Sequence, residues 1–201
     1  MKSRLCFVVS VMDDVYPLLA TARLLMRPFA TDDVGALHRL WIDPGVRKFL
    51  WDDQIIPQET VVAVVEGSID SFVNHGFGFW AICFKNETKL IGFAGLRHFT
   101  EDGGATREVE ILYGVAPAHW GKGIATEAAR AVLRYGFDGL KLANIYAGAD
   151  PPNAASFRVI EKLGMKFARK TLVHGLEAVY YIINSNDYKV HFELDSKIGL
   201  K

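Results

Sequence analysis

Apolar and polar residues recur along this chain in two rhythms. One has the period of a helix and the other the two-residue period of a strand. Thr21-Ala22-Arg23-Leu24-Leu25-Met26-Arg27-Pro28 reads as a short strand stopped by its proline. Thr31-Asp32-Asp33 then offers N-cap oxygens to a helix over 34–42, and Asp43-Pro44 opens a second short helix. Val61, Val64, Val65, Ile69 and Phe72 lie along one face of a helix over 57–73. After Asn74-His75-Gly76 the period shortens. Residues 77–84 and 89–99 are strand-like, and the polar turn Lys85-Asn86-Glu87-Thr88 joins them as a hairpin. A loop at 101–105 leads to a third strand over 108–115. On it Val109, Ile111, Tyr113 and Val115 share one face, and Glu108, Glu110 and Leu112 the other.

The second half alternates the two rhythms. A helix is predicted over 124–137 and a strand over 142–147. The turn Asp150-Pro151-Pro152-Asn153 supplies a cap for a helix that runs to Leu163 and is closed by Gly164. Residues 165–174 and 178–184 form a last hairpin, and the chain from about Asp187 reads as a loosely held tail. The sum is a mixed α+β domain over 21–185, between an extension at 1–20 and a tail at 186–201.

Composition narrows the function classes. The chain has 201 residues, half of them hydrophobic, and its 23 basic residues balance 23 acidic ones. That balance argues against a whole-surface attraction to nucleic acid or anionic membranes. Cys6 and Cys83 form no CxxC pair, which argues against a disulfide framework or a zinc site and fits the cytoplasm. His38, His75, His98, His119, His174 and His191 are dispersed without ligand-spaced partners, so no metal is expected. The apolar run at 5–12 follows Lys2 and Arg4 as a signal peptide would. It ends in Asp13-Asp14 without a small-x-small cleavage site. No later segment reaches the roughly 18 apolar residues of a membrane span. Monomer and homodimer are equally compatible with these features.

The candidate chemistry lies where the third strand meets the next helix, at Val115-Ala116-Pro117-Ala118-His119-Trp120-Gly121-Lys122-Gly123-Ile124-Ala125-Thr126. Two glycines at a helix N-terminus aim backbone N–H groups and the positive dipole end at one spot, as a pyrophosphate requires. A phosphate loop of the form G-x-x-x-x-G-K-[ST] fails here, with Ala116 at the first glycine and Gly123 at the Ser/Thr. A G-x-G-x-x-G dinucleotide fingerprint fails at Thr126, and no acidic residue ends a second strand about 20 residues on.

The segment resembles the acetyl-CoA loop of the GNAT (GCN5-related N-acetyltransferase) family. That family's pattern [RQ]-x-x-G-x-[GA] falls on Trp120 to Ala125, with Trp120 in place of Arg/Gln. Trp120-Gly121-Lys122-Gly123-x-Ala125-Thr126-Glu127-Ala128 is the form of the Rim-type branch, which includes acetyltransferases of ribosomal-protein amino termini. Thr21-x-Arg23-Leu24-Leu25-x-Arg27-Pro28 matches the same branch. So do Ile91-Gly92-x-x-Gly95-Leu96, Glu110-Ile111-x-Tyr113 and the run Asn153-x-x-Ser156-x-Arg158 to Met165. The resemblance spans about residues 21–185.

It implies a GNAT fold: a mostly antiparallel sheet of six to seven strands, flanked by helices on both faces and splayed at the acetyl-CoA strand. It implies acetyl-CoA as cosubstrate, no metal, and a primary amine as acceptor, either a protein amino terminus or a small molecule. The amine attacks the thioester directly. Val115, Trp120, Gly121, Lys122, Gly123, Ile124, Ala125 and Thr126 would hold the cofactor, with Asn153 reaching the pantetheine arm. The Val115 N–H is placed to stabilise the oxyanion. Glu110 is the first candidate to take the amine's proton, directly or through water, and Glu108 the second. Many members carry a general-acid tyrosine seven residues after the motif asparagine, where this chain has Ile160. Ser156 is the polar residue left on that helix, as donor to the sulfur or as a first-turn serine satisfying helix N–H groups. Tyr113, Trp51, Trp80, Phe77 and Phe79 read as core or cleft wall. The alternative reading is a catalytically weak CoA-binding regulatory module.

Overall fold

The structure, a computed structural model, describes residues 16–100, 108–173 and 175–198. The loop at 101–105, His174 and most of the expected extension lie outside them. Eight strands form one open sheet. They are β1 (Leu19–Ala20), β2 (Leu24–Pro28), β3 (Phe79–Phe84), β4 (Gly92–Phe99), β5 (Glu108–Val115), β6 (Asn144–Ala149), β7 (Lys166–Val173) and β8 (Leu176–Asn184). Their order across the sheet is β1-β2-β3-β4-β5-β6-β8-β7. Every neighbouring pair is antiparallel except β5 and β6. The helices are α1 (Val34–Trp41), α2 (Pro44–Leu50), α3 (Gln58–His75), α4 (Ile124–Arg134), α5 (Ala154–Lys162) and α6 (Ser185–Ile198).

Strand alternation sorts the core onto the two faces of the sheet. Trp80 opposes Ala94 and Ala81 opposes Phe93 in the β3–β4 register. Trp80 and Ala94 pack with Ile82, Leu96 and Ile111 against Ala128, Val132 and Leu133 of α4. Ala81 and Phe93 point the other way, onto Leu37 and Trp41 of α1 and Val61 and Val65 of α3. On α3 the buried stripe is Val61, Val65, Ser68 and Phe72. The buried Ser68 hydroxyl is satisfied by accepting the Phe79 N–H at 2.8 Å. Gly76, at φ 75°, ends this helix where an L side chain would be strained.

Three expectations change. The sheet has eight strands because Leu19–Ala20, inside the presumed extension, pairs with Leu25 and Met26. A two-residue strand is too short to show alternation. Asp33 does not cap α1 through its side chain. Its carboxylate takes Arg27 through two bonds of 2.7 Å and accepts the Ala30 N–H. The cap of this region is Asp43, which accepts the Gly45 N–H at the start of α2. Finally, the tail is a helix. Asn184 accepts the N–H groups of Asn186 and Asp187 at its start. Tyr188 is buried, stacks on Phe137 at 4.7 Å and donates its hydroxyl hydrogen to Asp138.

If α6 is integral to the domain, Tyr188→Ala lowers stability by about 3 kcal/mol, the cost of a deleted buried ring. Tyr188→Phe loses about 1 kcal/mol, one hydrogen bond. Urea denaturation reads both, and a loosely held tail would leave the midpoint unchanged.

Candidate active site

The site begins where two strands part. β5 and β6 share one ladder position, Glu110 with Tyr146. On the other side of β5, Gly92 opposes Val115 and the Ala116 N–H donates to Ile91 O at 2.8 Å. By the alternation of an antiparallel ladder, the Val115 N–H and C=O then point away from β4, into the gap. The indole N–H of Trp120 donates to that carbonyl at 2.6 Å. Of the two Val115 backbone groups that face the gap, the carbonyl is thus taken and the N–H is left aimed at it. Trp120 is half exposed, and its ring edge lies on Gly45 of α2. A Cβ there would sit 2.7 Å from Cη2.

After Val115 the chain passes through a short 3-10 helix at Pro117–His119 and a glycine turn, then enters α4. Gly121 (φ 72°) and Gly123 (φ 75°) are both left-handed, with no backbone or core atom close enough to forbid a side chain. Conformation, not crowding, requires glycine there. Gly123 is the N-cap, and no side chain caps this helix. The first-turn N–H groups therefore lack a side-chain acceptor, which fits an anionic group docking on them. A clamp from the start of the sheet holds the turn. Glu127 accepts from Thr21 Oγ1 at 2.5 Å, from the Arg23 backbone N–H at 2.9 Å and from Arg23 Nε at 2.7 Å. Arg23 also donates to Lys122 O. Burial pushes the Glu127 carboxyl up, but the hydrogen bonds from Thr21 and Arg23 outweigh it and hold the group below its ordinary range.

Two cavities meet beside the gap. The first, about 580 Å³, is lined by Val115, Trp120, Gly121, Gly123, Ile124, Ala125, Thr126 and Asn153 among others. The second, about 530 Å³, lies between α1–α2 and the β7–β8 hairpin and includes Glu110. Phe49, Leu50, Tyr113, Asn153 and Ser156 line both. At this junction the Tyr113 and Ser156 hydroxyls are 2.9 Å apart. Burial drives the Tyr113 phenol up to about 12, against the hydrogen bond with Ser156. Asn153 caps α5 by accepting the Ser156 N–H at 3.1 Å. Glu110 is 3% exposed and meets Arg97, its cross-strand partner, at 2.5 Å. Burial raises the Glu110 carboxyl, while the charge and hydrogen bonding of Arg97 pull it back.

The description "Acetyltransferase (GNAT) domain" matches residues 23–166. The chain belongs to the GNAT family of acetyltransferases. It is 32% identical to the uncharacterised N-acetyltransferase YnaD of Bacillus subtilis over 181 residues, 85% of this chain and 98% of the relative. It is 28% identical to the spermidine N(1)-acetyltransferase of Escherichia coli over 144 residues, 69% of this chain and 70% of that enzyme. Its fold is that of RimL, the ribosomal L7/L12 α-N-protein acetyltransferase solved with coenzyme A. There the TM-score is 0.68, with 18% identity over 85% of this chain and 99% of RimL.

Within this GNAT frame most predicted cofactor residues line the first cavity. Lys122 does not, since its ammonium donates to Ala118 O at 2.8 Å. Arg158 and Lys162, one turn apart on α5, do line it. They bring the positive charge expected of Lys122, but in sequence they read as ordinary surface residues. Of the two candidate carboxylates, Glu110 lines the second cavity and Glu108 does not. Glu108 is paired with Arg169. Ile160 is fully buried core. Tyr113 lines both cavities, as the cleft wall expected of it, and its hydroxyl meets Ser156. Its only sequence signal was its place on the Glu110-Ile111-x-Tyr113 strand.

Gly123→Ala forces an L residue into the left-handed region at a cost of about 1–2 kcal/mol. CoA affinity by calorimetry falls about tenfold or more. Gly67→Ala on α3, where a Cβ meets nothing within 4 Å, leaves CoA binding unchanged.

Proposed function

We propose that the protein transfers an acetyl group from acetyl-CoA to a primary amine, with the first cavity taking the cofactor and the second the acceptor. The observation that carries this reading is the shared wall of Tyr113, Asn153 and Ser156 between the two cavities, with Glu110 on the acceptor side. Bound acetyl-CoA supplies a thioester carbonyl. The uncapped turn at Gly121 to Thr126 holds the pyrophosphate, and Arg158 and Lys162 add positive charge to the same cavity. The Val115 N–H, aimed into the gap, donates to the carbonyl oxygen as negative charge develops on it.

An alkylammonium has a pKa near 10 and a peptide amino terminus near 8, so the acceptor must lose a proton before it attacks. Glu110 takes that proton, directly or through one water. Burial makes its carboxylate a stronger base than an exposed one, and the charge and hydrogen bond of Arg97 favour its ionised form. Ser156 faces the sulfur as a hydrogen-bond donor. Because Asn153 caps α5, the Ser156 hydroxyl is not needed for capping.

Among the described residues, the acceptor cavity carries the carboxylates of Asp52, Glu110 and Asp150 and one cation, Arg97, with no lysine or histidine. Burial, then the charge of Asp52, raises the Asp150 carboxyl. This balance favours a positively charged amine, whether a small amine or a protein amino terminus. It agrees in kind with the spermidine and ribosomal-protein acceptors named for the relatives.

Purified protein, acetyl-CoA and an amine panel, followed by thiol release, test the reading. Turnover is expected on cationic amines, whereas CoA binding without turnover on any amine would favour a regulatory module. Glu110→Gln lowers kcat/KM by about 10²-fold or more. The base form exists only above its pKa, so wild-type activity falls as pH drops through that raised value. Arg97 lowers the Glu110 pKa, so Arg97→Met moves the acid limb of kcat/KM to higher pH. An unmoved limb would mean that another group takes the proton.

A further inference from the structure

The reading above leaves open how a serine hydroxyl, free to rotate, comes to present its hydrogen to sulfur. Ser156 sits in the first turn of α5 at the junction of the two cavities. Among the described residues its Oγ has one hydrogen-bond partner, Tyr113 Oη at 2.9 Å. The alternative acceptor for the tyrosine, Ser156 O, is 3.3 Å away. That is beyond the usual O–H···O range, whereas 2.9 Å is within it. Tyr113 reaches Ser156 from β5, across the sheet-to-helix interface and 43 residues away in sequence.

We propose that Tyr113 is a positioning residue for Ser156: it donates its hydrogen to Ser156 Oγ, and this turns the serine's own hydrogen toward the departing sulfur. Each hydroxyl carries one hydrogen. If the phenol donates along the 2.9 Å contact, the serine hydrogen has no acceptor among the described residues and is left for the cavity junction. The phenol, buried and shifted to about 12, keeps its proton across the working range and so always has a hydrogen to donate. In the step itself, once the neutral amine has bonded to the carbonyl carbon, the C–S bond breaks, its electron pair goes to sulfur, the carbonyl re-forms and the nitrogen loses its surplus proton to solvent. Sulfur accepts a hydrogen bond from Ser156, and no proton leaves Tyr113. The thiolate is protonated by solvent on release. Ile160, one turn beyond Ser156, is sealed in the core. The aromatic hydroxyl of this site thus comes from the strand rather than the helix.

The inference rests on the role given to Ser156 above, and the test separates the two. The ultraviolet absorbance of the thiolate of bound CoA reports its titration without any turnover. Tyr113→Phe and Ser156→Ala are each expected to raise the bound-thiol pKa by about one pH unit and to lower kcat about tenfold. The acetyl-CoA KM stays unchanged. The double variant goes no further than either single one, because the tyrosine acts through the serine. If Ser156→Ala moves neither quantity, the role of Ser156 falls and this inference with it. If Ser156→Ala moves both and Tyr113→Phe neither, this inference alone falls. Multiplied losses in the double variant overturn it as well. Should Tyr113→Phe fail to bind CoA, site-specific 3-fluorotyrosine at 113 keeps the ring and makes a stronger donor. It lowers the bound-thiol pKa, and an unchanged or raised value overturns the proposal.

Discussion

The arrangement depends on a ladder that stops. β5 and β6 run parallel but share one bridge, at Glu110 and Tyr146. Buried backbone groups are costly to leave unpaired, so a sheet that parts in mid-domain demands something to fill the gap. Here the filling is partly protein and partly reserved. The Trp120 indole takes the Val115 carbonyl, while the neighbouring N–H faces the opening. That single bridge is also the position of Glu110, so the group proposed to take a proton stands where the two strands still meet.

The rest of the fold keeps that opening in place. Helices on both faces pin β4 and β5 through large side chains, notably Trp80, Phe93, Trp41 and Leu96. The clamp of Thr21 and Arg23 on Glu127 ties the first turn of α4 to the far edge of the sheet. A loop that must offer its own N–H groups cannot also use them for internal bonds. Its order is supplied from outside, by residues about a hundred positions earlier in the chain.

Features set by local conformation were legible in the sequence. Gly121 and Gly123 had to be glycine, and the one-in-two pattern of residues 108–115 placed Glu110 opposite Ile111 and Tyr113. Asn153 and Gly164 marked the two ends of α5. What was hidden depends on distant contacts. Tyr113 read as an aromatic wall because alternation assigns a face, not a hydroxyl's partner 43 residues away. Arg158 and Lys162 carry no apolar signal. The helix at Ser185–Ile198 is mostly polar, and what holds it is the fit of Tyr188 on Phe137 with a cap from Asn184. The two-residue β1 lies below the length at which any periodicity can be read.

The meeting of Trp120 with Gly45 bears on how sequences like this one can change. The indole edge occupies the space where a β-carbon at position 45 would lie. A relative that gains a side chain at 45 must therefore displace the indole at 120, and with it disturb the cover on the Val115 carbonyl. Substitutions at these two positions, 75 apart on the chain, are consequently not independent. A family member with Arg or Gln in the place of Trp120 is free of that restriction on α2, and its strand carbonyl is left for another partner.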